Sequence, residues 1–408
     1  MSLIVQKFGG SSVADPQCIR RVADRIGENY KAGNDMVVVV SAMGDTTDHL
    51  IALAKELNPN APEREMDMLL STGEQQTIAL LAMTLNGMGC ETVSFTGWQA
   101  GILTEGVASK AKIMSIDPHR IEEQLKQKKI VIVAGFQGVT PDGEITTLGR
   151  GGSDTTAVAL ASALKADFCE IFTDVDGVYT TDPRVESQAH KIDRISYDEM
   201  LELATLGAGV LHPRCVEVGK DGKVKIQVRS SFNHNPGTSV EEIDGQMLEQ
   251  QMAVSGIAFD RNVAKVSIFD VPDKPGTAAL IFNTLAREHV NVDMIIQAAQ
   301  RRNKNKITFT VSADDLNKTK AIMEEMKWEL HANETAYMDK IAKVSIVGAG
   351  MITNPGVAAK MFDILAAEDI NIEMISTSEI KVSVALEEDD MVRAVRALHR
   401  GFGLSEEG

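Results

Sequence analysis

The sequence predicts an α/β protein, in which an open, mostly parallel sheet with helices on both faces is followed by a βαββαβ module present twice. In the first two-thirds of the chain, short apolar runs alternate with stretches of helical apolar spacing, as in a parallel sheet with crossover helices. In the last third the chain repeats itself, and residues 264–268 return as 342–346. A length of 408 residues is too great for one ordinary core, so two or three domains are expected.

Composition and net charge argue against several classes of function. A formal net charge of −17 argues against nucleic acid as a partner, because a phosphate backbone binds a basic face. The four cysteines lie far apart without metal-ligand spacing, so we expect reduced structural thiols in a cytoplasmic protein. We expect no signal peptide and no membrane partner, because no apolar run approaches the ~20 residues that cross a bilayer.

The chain opens with a βαβ unit. Its predicted parts are a strand over residues 3–8, a helix over 15–31 and a fully buried strand over 36–40. Gly9 and Gly10 follow the first strand directly, so their N–H groups could cradle a phosphate beside Lys7. Taken alone, the stretch is explained more simply by a solvated lysine and a steric glycine turn, since no Walker A motif is present.

A long helix is predicted over residues 64–85, and Glu74 lies within it beside Gly73. A carboxylate on the inner face of such a helix could hold a substrate ammonium group, although most helical glutamates are solvated. Short strands are predicted over 93–95 and 130–134.

A glycine-rich stretch at residues 146–159 carries Arg150 and leads into an Ala-rich helix predicted over 155–165. Ser153 or Asp154 is expected to cap this helix. Backbone N–H groups before a helix N-terminus favour an anion, and the arginine fork suits a carboxylate or phosphate. An ordinary glycine-rich turn with an N-cap is the alternative.

An acidic turn at residues 173–184 follows a strand predicted over 170–172. In an open α/β sheet, this is the edge where side chains meet a ligand. A calcium loop is rejected, because the twelfth position lacks the bidentate glutamate. A helix over 197–208 and a strand over 223–229 complete this part of the chain.

The last third contains the internal repeat. Residues 264–268 match 342–346 at an offset of 78, whereas 291–295 match 371–375 at an offset of 80. The second unit therefore has two extra residues in its strand-to-helix loop. Each unit reads strand, Pro-Gly turn, helix, strand, strand, helix, and a strand near 252–259 is expected to complete one of the sheets.

Four motifs that occur together and in order resemble those of the aspartokinases, the ATP:L-aspartate 4-phosphotransferases of the amino-acid kinase superfamily. The motifs are Lys7-Phe8-Gly9-Gly10-Ser11-Ser12-Val13, Ser71-Thr72-Gly73-Glu74, Thr147-Leu148-Gly149-Arg150-Gly151-Gly152-Ser153-Asp154 and Thr173-Asp174-Val175-Asp176-Gly177-Val178-Tyr179. Each motif alone is weak, whereas the four in series are specific. The C-terminal repeat resembles tandem ACT domains, which bind amino acids at module interfaces. The resemblance thus covers essentially the whole chain and implies an amino-acid-kinase-like sheet followed by two ACT modules.

The resemblance also implies roles for the matched residues. The expected catalytic residues are Lys7, Glu74, Arg150 and Asp154, with Lys7 at the transferred phosphoryl group and Asp154 near the reacting centre. The expected nucleotide contacts are Lys7, Gly9, Gly10, Thr173, Asp174, Tyr179 and Arg184. The expected aspartate contacts are Ser41, Thr47, Glu74, Arg150 and Ser153, with Glu74 at the ammonium and Arg150 at the α-carboxylate. The implied cofactor is ATP with Mg²⁺, and no protein ligand is assigned to the metal. Gly209 stands where many relatives carry a lysine, so that nucleotide contact departs from the family pattern.

The ACT resemblance implies regulation. Lysine, alone or with threonine, is the expected feedback inhibitor of this first step in lysine, threonine and methionine synthesis. The expected effector contacts are Gly276, Ala278, Gln297, Asn371 and Ile372. A homo-oligomer through the ACT modules is expected, with a shorter subunit if translation also starts at Met247 or Met252. The predicted domains are residues 1–238 (kinase), 239–262 (linker and shared strand), 263–337 (first module) and 338–408 (second module).

Two alternatives remain open from the sequence. One is a kinase acting on N-acetylglutamate or glutamate, and the other is a non-catalytic amino-acid sensor. Glu74 together with Arg150 favours a free amino acid, and the duplicated modules favour aspartate. The presence of Lys7, Arg150 and Asp154 argues against a sensor without activity.

Overall fold

A computed structural model describes residues 2–206, 210–243, 253–300, 304–327, 330, 334–352 and 354–405. Gly209, Met247 and Met252 lie outside the described residues, so their predicted roles are not addressed by the structure. The described residues form two units. The first is drawn from the ranges Met1–Tyr179 and Lys191–Leu248, and the second from Thr180–His190 and Glu249–Gly408.

The first unit contains the predicted open sheet. Its strands, in chain order, are β1 (Leu3–Phe8), β2 (Asp35–Val40), β3 (Thr92–Phe95), β6 (Ile130–Ala134), β9 (Phe168–Thr173), β10 (Arg194–Ser196), β11 (Ile226–Ser230) and β12 (Thr238–Glu241). Their spatial order is β10-β12-β11-β9-β1-β2-β6-β3, and every neighbouring pair is parallel except β11 with β12. The predicted α/β class with a mostly parallel sheet is confirmed.

Helices cover this sheet. They are α1 (Pro16–Lys31), α2 (Thr46–Leu57), α3 (Glu63–Gly87), α4 (His119–Lys126), α5 (Gly152–Leu164), α6 (Tyr197–Thr205) and α7 (Pro213–Gly222). The start of α1 is fixed by Asp15, whose carboxylate accepts hydrogen bonds from the N–H groups of Gln17 and Cys18. A capping box between Ser196 and Glu199 starts α6. The apolar faces of α1 and α3 pack on β1, β2 and β6 in a continuous core.

Short strands form a second sheet that the sequence analysis did not predict. These strands are β4 (Ile102–Thr104), β5 (Ile113–Ile116), β7 (Gln137–Val139) and β8 (Ile145–Thr147), in the order β5-β4-β7-β8. Runs of three or four residues carry too little alternation to identify a strand. Strand β8 of this sheet contains the first two residues of the glycine-rich stretch 146–159.

The expected side-chain cap on the helix after the glycine-rich stretch is wrong. Helix α5 begins at Gly152 rather than at residue 155, and its N-cap is Gly151 in the left-handed conformation, with no side-chain cap. Ser153 and Asp154 therefore lie inside the first turn. Their side chains are free to point at other groups, which matters for the site described below.

The second unit is a single antiparallel sheet with helices. Its strands are β13 (Gly256–Pro272), β14 (Val292–Gln300), β15 (Lys304–Val311), β16 (Glu334–Val347), β17 (Met374–Thr377) and β18 (Lys381–Glu387). Its helices are α8 (Thr277–Arg287), α9 (Leu316–Met326), α10 (Val357–Ala367) and α11 (Met391–Gly401). The strand order is β14-β15-β13-β16-β18-β17, with every neighbouring pair antiparallel.

Two long strands are shared between the repeated modules. The first part of β13 pairs with the second part of β16, from Gly256 opposite Val347 to Asp260 opposite Lys343. The fourth strand of the second module is therefore supplied by chain that precedes the first module. Strand β16 also runs across residues 337 and 338, where the sequence analysis set a module boundary. The predicted strand near 252–259 is the beginning of β13 and continues without interruption into the first module.

The segment Thr180–His190 belongs to the second unit, although the sequence analysis assigned it to the kinase domain. Cys90, Cys169 and Cys215 are buried free thiols of the first unit. Among the helices that the structure describes, none is long and apolar enough to cross a membrane.

Candidate active site

Lys7 lies near the carboxyl end of β1, between Val39 of β2 and Ile171 of β9. Its side chain is only 10% exposed, and its Nζ lies 2.5 Å from Oδ1 of Asp154, in the first turn of α5. The sheet and this helix therefore bring together two residues that are distant in sequence. An enclosed ammonium group beside one carboxylate can be shared with a second anion at the same place.

The two glycines after β1 are closely surrounded. A Cβ atom on Gly9 would lie 3.3 Å from Nζ of Lys7, and one on Gly10 would lie 3.0 Å from the carbonyl oxygen of Ala42. The backbone of this turn thus stands in close contact with the lysine and with the end of β2. Such a bare backbone is what a phosphate cradle requires.

Glu74 is buried in α3, with 3% of its surface exposed. Its Oε1 accepts a hydrogen bond of 3.1 Å from the N–H of Ala42, and its buried Oε2 has no hydrogen-bond partner in the structure. Burial raises the pKa of this carboxyl group to about 7, although the hydrogen bond from Ala42 opposes the rise. Ala42 contacts both Glu74 and the Gly10 turn, so the carboxyl group belongs to the same site as Lys7.

The glycine loop before α5 depends on left-handed backbone. Gly149 has φ of 77° and Gly151 has φ of 70°. A Cβ on Gly151 would lie 2.3 Å from Cγ of His212, so no side chain fits there. His212 is the N-cap of α7, and burial together with the charge of Arg214 lowers the pKa of its ring, which is therefore neutral at pH 7.

Arg150 is exposed in this loop and makes no hydrogen bond or ion pair to any other described residue. Ser153 is buried against Gly135, where a Cβ would lie 2.7 Å from its Oγ. The N–H of Ser41 donates to the carbonyl of Phe8, at the start of the Gly9 turn. Thr47, half-buried, lies in the first turn of α2.

The acidic turn after β9 is ordered by its own side chains. The hydroxyl of Thr173 donates to Asp174 at 3.0 Å, and the hydroxyl of Tyr179 donates to Asp176 at 2.8 Å. Burial and the neighbouring Asp176 raise the pKa of Tyr179 to about 12. Arg184 belongs to the second unit, where its guanidinium forms a bidentate pair with Asp182.

Sequence reasoning missed three supporting residues. Asp67, fully buried in α3, accepts hydrogen bonds from the N–H groups of Ser109 and Thr147 and from the Thr147 hydroxyl. Arg214 donates to the carbonyl of Leu148 at 2.6 Å and so holds the start of the glycine loop. His212 packs against the same loop, as described above. An aspartate at a helical position carries no sequence signal, and the sequence analysis assigned no role to His212 or Arg214.

The predicted effector residues occupy repeated positions in the second unit. Gly276 and Gly356 are the N-caps of α8 and α10, with φ of 96° and 98°. Ala278 is half-buried in the first turn of α8, and Gln297 is exposed on β14. Asn371 is exposed before β17 and donates to Glu373 at 3.3 Å, while its neighbour Ile372 is half-buried.

Reciprocal ion pairs link the two modules. Lys265 of the first module lies 2.5 Å from Glu373 of the second, and Lys343 of the second pairs with Asp293 of the first. The two lysines occupy equivalent positions in the repeat, and so do the two carboxylates. The repeated sequence therefore produces a symmetric contact between its two copies.

A cavity of about 370 Å³ in the first unit is separate from these residues. It is lined by Asp193, Gln227, Arg229, His234, Pro236, Gly237, Thr238 and Ser239. None of the residues predicted to contact substrate or nucleotide lines it, so geometry at Lys7, and not cavity size, defines the candidate site.

Comparisons with known proteins agree with this architecture. Residues 2–230 match the model of the Amino acid kinase family, and residues 269–326 and 344–402 match that of the ACT domain. The fold and these matches define a kinase of the amino acid kinase family that carries two ACT domains.

The individual relatives are more specific. The chain is 55% identical to the aspartokinase of Bacillus sp. (strain MGA3), over 99% of this chain and 98% of the relative. The structure of E. coli aspartokinase III with aspartate and ADP matches with a TM-score of 0.80 at 26% identity, covering 98% of this chain and 99% of that one. The lysine and aspartate complex of the same enzyme matches with a TM-score of 0.79 at 27% identity, covering 98% and 99% of the two chains. The chain belongs to the aspartokinases.

Proposed function

We propose that the chain phosphorylates the side-chain carboxylate of L-aspartate at the site built from Lys7, Asp154 and Glu74. The observation that carries this assignment is the pair of enclosed, complementary groups: an ammonium held at 2.5 Å from Asp154, and a buried carboxyl group with one unpartnered oxygen. The first suits a phosphate and the second suits an ammonium group. ATP supplies the phosphate and aspartate supplies the ammonium group.

The proposed chemistry requires little acid–base work. An oxygen of the aspartate side-chain carboxylate forms a bond to the γ-phosphorus as the bond from that phosphorus to the β–γ bridging oxygen breaks, giving 4-phospho-L-aspartate and ADP. The attacking carboxylate is already ionised, so no base has to remove a proton. Catalysis then consists of in-line positioning and neutralisation of charge. Lys7 and the Gly9–Gly10 backbone supply the neutralising groups.

Glu74 and Arg150 orient the acceptor in this proposal. The buried Oε2 of Glu74 faces the ammonium, and the exposed guanidinium of Arg150 forms a bidentate contact with the α-carboxylate. Ser41, Thr47 and Ser153 complete the contacts with aspartate. The E. coli relative was determined with aspartate and ADP, which supports this pair of ligands.

ATP is the phosphoryl donor implied by membership of the kinase family, and we assign the nucleotide to Gly9, Gly10, Thr173, Asp174 and Tyr179. Arg184 remains a prediction of the family resemblance. Within the described ranges, no group of three or more His, Cys, Asp or Glu side chains is arranged to hold a metal ion. Mg²⁺ usually keeps several waters and binds substrate phosphates, so we assign it mainly to the phosphates of ATP, where it would add charge neutralisation.

Regulation and assembly form the second part of the proposal. The E. coli relative bound to lysine supports lysine as an inhibitor of this early step in lysine, threonine and methionine synthesis. Threonine as a second effector remains a prediction of the ACT resemblance. Strands β14 and β17 are the edges of the second unit, and they expose Ile295 and Ile375 at equivalent repeat positions. Exposed apolar edge strands favour pairing with another copy. A cytoplasmic homo-oligomer, with a shorter subunit if Met247 or Met252 starts translation, fits these features.

The relatives named above are aspartokinases, which favours aspartate over N-acetylglutamate or glutamate as acceptor. A direct test measures ADP release with Mg-ATP and a panel of these acceptors, with and without lysine and threonine. Aspartate-dependent ADP release that lysine reduces is expected. Equal or faster turnover with another acceptor would contradict the assignment.

Two substitutions test the residue roles. Lys7→Met is expected to lower kcat/KM by about a thousandfold, the effect of losing one preorganised charge-stabilising group. Arg150→Gln is expected to raise KM for aspartate while KM for Mg-ATP stays unchanged. Exposed Lys31→Met and Arg20→Gln, both in or at the end of α1, are the matched controls. Near-wild-type kinetics of Lys7→Met or Arg150→Gln would remove that role.

A further inference from the structure

The segment Thr180–His190 follows directly on the proposed nucleotide contact Tyr179. The chain leaves the first unit at the Tyr179–Thr180 peptide bond and returns to it at His190–Lys191. A backbone contact lies on each side of these two peptide bonds. In the first unit Tyr179 forms a β-bridge with Lys191, and in the second unit the N–H of Thr180 donates to the carbonyl of His190. The position of Thr180 therefore fixes the carboxyl end of the Tyr179 backbone.

Thr180 is fixed within the second unit by every polar group it has. Its N–H donates to the carbonyl of His190 at 3.0 Å, and its carbonyl accepts from the N–H of Ile257 at 2.7 Å. Its hydroxyl accepts from the N–H of His190 at 3.2 Å and lies 2.9 Å from Nε2 of His399. Thr180 is 1% exposed and His399 is fully buried, so water does not compete for these bonds.

The rest of the segment is attached to the same region of the second module. Nε of Arg396, which precedes His399 on α11, donates to the carbonyl of Val185 at 2.9 Å, and Val185 packs on the module core. Ala189 forms a β-bridge with Ser405, just beyond α11. The segment is thus attached to α11 of the second unit, although in sequence it interrupts the kinase domain.

The protonation state of the His399 ring allows it to make a stable hydrogen bond with Thr180. Burial lowers its pKa, while Glu186 of the segment opposes this effect and His190 adds to it, so the ring is neutral at pH 7. A neutral ring has one donor and one acceptor nitrogen. Nε2 meets Thr180, and Nδ1 lies 3.5 Å from the hydroxyl of Ser405.

We propose that His399 is a positioning residue for the nucleotide: through Thr180 it sets the backbone that carries Tyr179, and it thereby links the second ACT module to ATP binding. The proposal rests on the assignment of Tyr179 to the nucleotide made above. It predicts that loss of the His399–Thr180 bond affects Mg-ATP and not aspartate. A purely structural role would instead lower stability and affect both substrates together.

Full-length enzyme carrying Thr180→Val tests the bond without changing side-chain shape. KM for Mg-ATP is expected to rise at least about fivefold, because valine removes both hydrogen bonds of the hydroxyl, with His399 and from the N–H of His190, while KM for aspartate changes less than twofold. Thr180→Ser should restore the wild-type value because it keeps the hydroxyl. His399→Leu removes the bond to Thr180 but keeps the one from His190, so it should also raise KM for Mg-ATP. The double variant should be no worse than Thr180→Val alone, because the contact with His399 is already lost there.

Thr308→Val is the matched control. Thr308 is also a buried threonine of the second unit, with its hydroxyl 3.0 Å from that of Ser267, but it belongs to the first module. Its variant should leave both KM values unchanged. Unchanged KM for Mg-ATP in Thr180→Val, or equal changes for both substrates with a lower melting temperature, would overturn the proposal.

Calorimetric titration with Mg-ADP separates this proposal from the proposed function. If the wild-type enzyme shows no aspartate-dependent turnover, the proposed function fails, but weaker Mg-ADP binding by Thr180→Val still supports the positioning role. If turnover is normal and the Kd for Mg-ADP is the same in both proteins, the positioning role fails and the proposed function stands.

Discussion

Glu74→Gln is expected to make the protein more stable at alkaline pH and to weaken aspartate binding, and both effects follow from the burial of this carboxyl group. In the unfolded chain the group ionises near its usual pKa of 4.5, whereas in the folded protein burial raises the pKa to about 7. The difference corresponds to about 3 kcal/mol, since one pH unit is about 1.4 kcal/mol. Glutamine keeps the shape and never ionises.

The direction of the pH dependence follows from proton binding. The folded state holds this proton more tightly than the unfolded state, so the associated stability is fully present below pH 4.5 and is lost as the pH rises through about 7. At pH 5 the wild type and Glu74→Gln should melt at similar temperatures. At pH 8 the variant should melt several degrees higher, because up to about 3 kcal/mol of cost has been removed.

Aspartate binding should instead favour the ionised form of Glu74. A substrate ammonium group needs the ionised carboxylate, so kcat/KM for aspartate in the wild type should rise with pH and level off above about 7. The variant should lose this step, and its KM for aspartate should rise about a hundredfold, as for a buried charge pair that loses one partner.

The assay is thermal unfolding of substrate-free protein at pH 5 and pH 8, together with the pH profile for aspartate. Glu65→Gln is the control, because Glu65 lies on the same helix with its side chain 61% exposed. A Glu74→Gln variant that melts below the wild type at pH 8, or a difference that does not depend on pH, would refute the argument from burial. An unchanged KM for aspartate would refute the ammonium contact.

Three further predictions address the supporting structure. Gly151→Ala should lower kcat, measured by steady-state kinetics, at least tenfold. The added Cβ would lie 2.3 Å from the ring of His212, and the backbone φ of 70° disfavours alanine. Normal turnover would show that the loop can adapt. Asp293→Asn should lower the melting temperature more than Lys343→Met. The lysine side chain is 7% exposed and that of the aspartate 50%, so only Asp293→Asn leaves a buried charge without its partner. The reverse order in thermal unfolding would contradict this prediction. Asp67→Asn should destabilise the protein by about 1–3 kcal/mol, since it replaces an acceptor of several buried hydrogen bonds, and a melting temperature equal to that of the wild type would contradict the prediction.

The parallel sheet could be predicted because its strands are continuous apolar runs. The run at 130–134 became β6 without change, and the strand predicted over 3–8 became β1. The second sheet could not be predicted, since a strand such as β7 has only three residues. Local spacing determines long elements, whereas short strands are formed by neighbours that are distant in sequence.

Some residues of the candidate site could be predicted from the sequence and others could not. Lys7, Glu74 and Asp154 could be predicted as candidates because they stand in motifs, whereas the contact between Lys7 and Asp154 depends on the packing of α5 against β1. Asp67 was missed because nothing at its position distinguishes a buried acceptor from a solvated carboxylate. The incorrect cap on α5 has a related cause: propensity favours Ser153 or Asp154 as N-cap, and the left-handed Gly151 takes that place instead.

The sharing of β13 and β16 also has a consequence for synthesis on the ribosome. Residues 256–260 leave the ribosome more than 80 residues before their partners 343–347, and at about 5–20 residues per second that interval is on the order of ten seconds. Throughout it, buried positions such as Ile257 and Ala258 have no completed strand to pair with. The second module therefore cannot finish folding until the first has been made, and nascent chains should be most prone to aggregate during this interval.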